Sequence, residues 1–194
     1  MDRLILVRHA ETTYNARGLM NPDSQTEAGL SPAGLRAALE LRTKLSEEPI
    51  EIAIVTSRLR TAQTAEAVVG DGIPQLVLDE LSEIGVGCFE GRPVSEYRAW
   101  IRSNPLRSTP TGGESVADAT ARYLTGLRRI RELPGGLAIV VMHNLPMRMT
   151  LNAAAGDDPI RGDVQRVPNA ARFDLSGNDL DNAIAGLGVW LTGI

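Results

Sequence analysis

The stretch LILVRHAETTYN, residues 4–15, decides how the rest of the chain is read. A near-continuous apolar run, Leu4 to Val7, passes abruptly into Arg8 and His9 and then into a polar string ending at Asn15. A run of that kind reads as a strand covered on both faces, as in a parallel sheet with helices above and below it. The chain has only two histidines, and the second, His143, also directly follows an apolar run, LAIVVM at 137–142. A third short run, 51–56, leads into TSRLRTAQTA, which carries Arg58 and Arg60. In sheets of this type ligands gather beyond the carboxyl ends of the strands. Two imidazoles and several guanidinium groups, each an always-charged binder of phosphate or carboxylate oxygens, are thus expected at one rim.

Outward from these strands, residues 3–8, 51–56, 75–79 and 137–142 read as β and the segments between them as helical. Ser31 followed by Pro32 is an N-cap with proline at the first helical position, and Leu35, Ala38, Leu39 and Leu45 are read as the buried face of the helix that follows. A second helix is predicted over about 59–69. A third, over about 114–132, carries Val116, Ala119, Tyr123, Leu127 and Ile130 as its stripe. A fourth follows His143. The tail, 164–191, with ARFDL and AIAGLGVWL, reads as edge strands, and its Val189, Trp190 and Leu191 leave a homodimer open. The predicted fold is therefore a three-layer α/β sandwich, with a mainly parallel central sheet, antiparallel edge strands and helices on both faces. One domain, 1–194, is expected.

Composition narrows the function classes. Of 194 residues, 43% are hydrophobic and 23% charged, and the net charge of −4 argues against a nucleic-acid partner held by bulk electrostatics. No apolar run is long enough to span a bilayer, no signal core is evident, and Cys88 is the only cysteine, so a cytoplasmic protein without a disulfide or membrane attachment is expected. Two histidines without a carboxylate or cysteine cluster make a poor zinc site, and there is no Walker-type glycine loop. No metal and no cofactor are implied.

The residues Arg8, His9, Ala10, Glu11 and Thr12, with Asn15 three further on, resemble the Arg-His-Gly-Glu-Thr…Asn signature of the histidine phosphatase superfamily, the phosphoglycerate-mutase-like fold. RTAQTAE at 60–66, LSEIGVGCFEG at 81–91, GGES at 112–115, IVVMHN at 139–144 and VPNAARFDL at 167–175 are similar to further segments of that family, in its order. The resemblance implies His9 as nucleophile, with its other ring nitrogen tied to an acceptor such as a backbone carbonyl. Arg8, Arg60 and a protonated His143 would surround the phosphate oxygens, with Arg58 in place of Arg60 if the turn is shifted. Glu83 would be the proton donor. Asn15 and the Asn144 amide would add hydrogen bonds, with Thr12 and Arg92 as further candidates for phosphate or substrate contact.

The chain departs from the family pattern at Ala10 and Asn144, both usually glycine, and in the loop after Asn15. The segment from about 92 to 113 is short where glycolytic mutases carry a long insertion, and a short cap admits water. The expected activity is hydrolysis of a small phosphorylated metabolite. Tyr97, Arg102 and Arg107 join Arg92 as candidates for holding the remainder of the substrate. Mutase-type phosphoryl transfer and a catalytically silent phosphate-binding module are the alternatives.

Overall fold

A computed structural model describes residues 1–22 and 28–194, so part of the loop after Asn15 lies outside the described residues. Five strands form one sheet: β1 (Arg3–Arg8), β2 (Ile52–Val55), β3 (Gln75–Val77), β4 (Leu137–Met142) and β5 (Arg172–Ser176), in the order β3-β2-β4-β1-β5. β1, β2, β3 and β4 run parallel, and β5 is the antiparallel edge. Strand alternation divides the core in two. Leu4, Leu6, Ala138, Val140 and Met142 face one side with Tyr123, Leu127, Ile130 and Leu187, whereas Ile5, Val7, Ile139 and Val141 face the other with Ala38, Leu41 and Val68. Successive side chains point to opposite faces of a strand, so an unbroken apolar run is what a sheet covered on both sides requires.

Helices α1 (Pro32–Lys44) and α2 (Leu59–Val69) cover one face. α4 (Val116–Glu132), α5 (Asn144–Ala154) and α6 (Gly177–Gly193) cover the other. A further helix, α3 (Val94–Ser103), lies in the 92–113 segment, where the sequence reading had placed no element.

The structure corrects two expectations. AIAGLGVWL is not an edge strand but part of α6. A capping box starts that helix, Ser176 Oγ accepting from the Asp179 amide while the Asp179 carboxylate accepts from the Ser176 amide, and Leu180, Ala183 and Leu187 bury its inner stripe. Its glycines, which weaken a helix by propensity, allow close packing: a Cβ on Gly186 would sit 3.2 Å from the Ala153 Cβ of α5. Val189 points outward from α6, while Trp190 and Leu191 pack against the core. In α1 the buried face is Gly34, Ala38 and Leu41, continued by Leu45, whereas Leu35 and Leu39 are exposed.

α1 docks on the loop that follows His9. Ser31, its N-cap, accepts from the Gly34 amide and donates to the Glu11 carboxylate, and the Ser31 amide donates to the Glu11 carbonyl. A Cβ at Gly34 would lie 2.1 Å from the Glu11 carbonyl oxygen, a backbone atom with no room to retreat. Gly34→Ala should therefore destabilise the protein by about 2–3 kcal/mol, the upper range for overpacking a filled core. Thermal melting would show this as a drop of several degrees, and an unchanged melting temperature would mean that the contact relaxes freely.

Candidate active site

The site is built at the carboxyl ends of β1, β2 and β4. The β1–β4 register pairs Arg8 with Met142, and the His9 amide continues the ladder by donating to the Met142 carbonyl at 2.9 Å. His9 and His143 therefore leave adjacent strands at the same level, and their ring centroids are 5.3 Å apart. Both are buried.

His9 Nδ1 lies 2.8 Å from the Ala10 carbonyl oxygen. A carbonyl only accepts, so Nδ1 carries the proton and the lone pair of the neutral ring falls on Nε2. His143 Nε2 lies 3.0 Å from Thr56 Oγ1 at the end of β2, and its Nδ1 is buried without a hydrogen-bond partner among the described residues. Burial, followed by the charge of Arg60, holds both histidines well below their ordinary value of 6.5. The free protein thus carries a neutral His143.

Two buried arginines face these rings. Arg8 donates from Nη1 to the Val167 carbonyl at 2.6 Å, and burial lowers its pKa to about 10, which leaves it charged at neutral pH. Arg60, in the first turn of α2, influences His9, His143, Arg8 and Glu83 alike. Arg58 is the N-cap residue of α2 and acts electrostatically on His143.

Glu83 lies on the loop before α3, half-buried, and its carboxylate sits at the start of α5. Oε2 accepts from the Asn144 amide at 3.1 Å, and Oε1 accepts from the Leu145 and Ile84 amides at 3.2 Å each. The Asn144 amide, expected to face phosphate, is bonded to Glu83 instead. Burial raises the pKa of Glu83, opposed by Arg8, Arg60 and these amides. Oε2, with one amide partner to the two on Oε1, has room for a proton.

The remaining candidates divide. Asn15 Oδ1 accepts from the Thr12 amide and from Asn169 Nδ2, each at 3.3 Å. Thr12 is buried and donates to Asn21 Oδ1, a contact that shapes the loop. The Asn144 side chain accepts from the Val167 amide. Arg92 is exposed, pairs with Glu96 one helical turn on and stacks over Phe89. Arg107 is bonded to the Ile194 carbonyl. Three contributors escaped the sequence reading. Asn169 donates to the His9 carbonyl at 2.9 Å, Thr64 accepts from the Ala10 amide at 2.9 Å, and Thr56 holds His143. Among the described residues, no cluster of three His, Cys, Asp or Glu is placed to hold a metal, and no helix is long and apolar enough to cross a membrane.

Comparison with known proteins agrees with this geometry. The family model described as histidine phosphatase superfamily (branch 1) matches residues 4–186. Phosphoserine phosphatase 1 of Hydrogenobacter thermophilus is 31% identical over 172 residues, covering 81% of this chain and 78% of that protein. A protein named probable phosphoglycerate mutase GpmB, from Yersinia enterocolitica, is 29% identical over 169 residues, covering 82% of this chain and 77% of its own length. The crystal structure of a putative alpha-ribazole-5'-P phosphatase from Escherichia coli superposes with a TM-score of 0.79 over 89% of each chain at 24% identity, a likeness of fold.

The buried groups make stability depend on pH. Unfolding exposes two histidines that take up protons below about pH 6.5, whereas folded Glu83 keeps its proton to a higher pH than its unfolded form, which releases it above about 4.5. The histidine contribution is present above 6.5 and lost as pH falls; the Glu83 contribution has the opposite sign. Two histidines against one carboxyl leave a net uptake of protons on unfolding, so stability should fall as the pH drops below about 6.5. Glu83→Gln removes the opposing proton and should steepen that fall in chemical denaturation measured from pH 6.5 to 5. A slope unaffected by the substitution would contradict the assignment.

Proposed function

Because this chain belongs to branch 1 of the histidine phosphatase superfamily, we propose that it hydrolyses a small-molecule phosphomonoester through a phosphohistidine on His9. The observation that carries this reading is the hydrogen bond from His9 Nδ1 to the Ala10 carbonyl, which leaves Nε2 as a nucleophile in a ring that feels the charges of Arg60 and Arg8. A neutral imidazole is required for attack, and the two guanidinium groups that join burial in keeping His9 unprotonated are suited to the charge on the transferring phosphoryl oxygens.

In the first step Nε2 attacks phosphorus, the phosphorus–oxygen ester bond breaks, and the proton on Glu83 passes to the leaving oxygen. In the second, Glu83 takes a proton from water as the water oxygen attacks phosphorus. The phosphorus–nitrogen bond then breaks, its electrons return to Nε2, and inorganic phosphate is released. A carboxyl group whose pKa is raised by burial suits both directions of transfer. His143 would bind the phosphoryl group through its unpartnered Nδ1, taking up a proton as the dianion enters. Asn15, oriented by Asn169, would add a donor.

Charge compensation by Arg8, Arg60 and His143 leaves no task that a metal must perform, so the activity is proposed to be metal-independent. The acidic composition with one cysteine supports a cytoplasmic setting. Hydrolysis is favoured over mutase-type transfer because the 92–113 segment contributes only the ten-residue α3 as cover, which leaves water a path to the phosphohistidine.

Incubation with a labelled phosphomonoester, followed by an alkaline detergent quench, should trap base-stable, acid-labile phosphate on the wild-type protein and none on His9→Ala. Free phosphate should accumulate in parallel. Phosphate moved between positions of a phosphoglycerate without release would establish the mutase reading instead, and the absence of both label and turnover would leave a binding module. Glu83→Gln should lose at least about 100-fold in kcat/KM on alkyl phosphates and much less on p-nitrophenyl phosphate, whose leaving group needs no proton. Equal losses on both would remove Glu83 from the role of acid.

A further inference from the structure

The segment GGES, 112–115, takes no part in the reaction just described, yet it is packed against the loop that carries Glu83. Two short stretches, 85–88 and 111–114, lie side by side. The Glu114 amide donates to the Gly85 carbonyl at 2.8 Å, and the Cys88 amide donates to the Thr111 carbonyl at 2.9 Å. Glycine permits this approach: a Cβ on Gly113 would lie 2.6 Å from the Gly85 carbonyl oxygen. The pairing brings the Glu114 carboxylate to the same loop, where its Oε2 accepts from the Gly85 amide at 3.4 Å.

Arg122, in α4, meets that carboxylate. Its Nε donates to Glu114 Oε1 at 3.0 Å and its Nη2 to Oε2 at 2.6 Å, a bidentate pair between two half-buried side chains. The same guanidinium faces the turn before the acid. Nη1 donates to the Glu80 and Ser82 carbonyls at 3.0 Å each and to the Asp79 carbonyl at 3.2 Å, and Nη2 reaches the Glu83 carbonyl at 3.4 Å. One helical turn further along α4, a Cβ on Gly126 would lie 2.9 Å from Leu81 Cδ2, so the turn rests directly on the helix. Glu83 is therefore held at its own carbonyl by Arg122 and, two residues on, at the Gly85 amide by Glu114, while its carboxylate accepts from the Asn144 and Leu145 amides.

We infer that Arg122, paired with Glu114, is a positioning residue for Glu83: the pair fixes the backbone on both sides of the acid, so that the carboxyl keeps one place while it gives a proton to the leaving oxygen and takes one from water. This rests on the phosphatase reading above and adds to it the residues that aim the acid. The requirement is geometric. A general acid acts only within hydrogen-bond reach of the oxygen it protonates, and loss of the pair frees the 82–85 backbone that sets this distance. His9 is held separately, at the Ala10 and Met142 carbonyls, so attack on phosphorus does not depend on Arg122. The pair therefore matters for leaving groups that need a proton and little for those that do not.

The test compares kcat/KM on phenyl phosphate and on p-nitrophenyl phosphate, two esters of similar shape of which only the first has a leaving group that needs a proton. Relative to wild type, Arg122→Met should widen the gap between the two esters at least about tenfold and Glu114→Gln about fivefold, chiefly through kcat on phenyl phosphate. Added to Glu83→Gln, neither substitution should widen the gap further, because the pair acts through that acid alone. Arg129→Met removes the exposed ion pair to Glu80 on the same turn and should leave the gap as it is in wild type. A merely stabilising role lowers both esters in proportion to the folded fraction and leaves their ratio unchanged. Glu114→Gln keeps the side-chain volume and decides the matter if Arg122→Met does not fold. An unchanged ratio in Glu114→Gln, with a wide gap in Glu83→Gln, overturns this inference and leaves the phosphatase reading standing. A Glu83→Gln protein without that gap, or a wild-type protein that releases phosphate from neither ester, refutes the proposed mechanism and this inference together.

Discussion

One backbone hydrogen bond, from the His9 amide to the Met142 carbonyl, is the contact on which the site depends. It is the last rung of the parallel β1–β4 ladder, and it fixes His9 level with His143 across the sheet. A parallel sheet aligns all its strand ends at one rim, so residues far apart in the chain arrive there without any long connection across the site. β2 completes the set by delivering Thr56 to His143 and starting α2, whose first turn carries Arg60. A shift of one residue in β1 would turn the His9 side chain to the opposite face, because side chains alternate along a strand.

Burial then does the electrostatic work. Imidazoles in water titrate near 6.5, but here desolvation and two flanking guanidinium groups hold both rings neutral. The same surroundings push the Glu83 carboxyl the other way, toward its protonated form, although Arg8 and Arg60 oppose that shift. His9 and Glu83 are thus both shifted toward their uncharged forms by one environment. That environment costs stability, as an accumulation of buried cations must, and the interleaved hydrogen bonds of Arg8, Asn144 and Arg148 to residues 165–167 hold it in place.

Much of the architecture was legible in the chain because it depends on local pattern. The runs at 3–8, 51–56 and 137–142 became β1, β2 and β4, and Ser31-Pro32 begins α1. The tail misled because AIAGLGVWL is apolar and glycine-rich, a composition that argues against a helix until Ala153 is known to pack against Gly186. The capping signal, Ser176 three residues before Asp179, was present in the sequence and pointed to the helix. Leu35 and Leu39 misled for the opposite reason: they share a helical face, but the face that docks on the sheet is that of Gly34, Ala38 and Leu41. Within the site, residues announced by a motif were readable, whereas Asn169, Thr64 and Thr56 were not. Each acts on a partner 54 to 160 positions away, and no local spacing encodes such a contact.

The central claim is that His9 is a neutral imidazole with its proton on Nδ1 and its lone pair on Nε2. Nitrogen-15 NMR of histidine-labelled protein between pH 5 and 8 tests this directly. The account predicts for His9 a protonated Nδ1 and an unprotonated Nε2 at pH 6, with no titration near 6.5. A His9 ring that is doubly protonated at that pH, or that carries its single proton on Nε2, would contradict it.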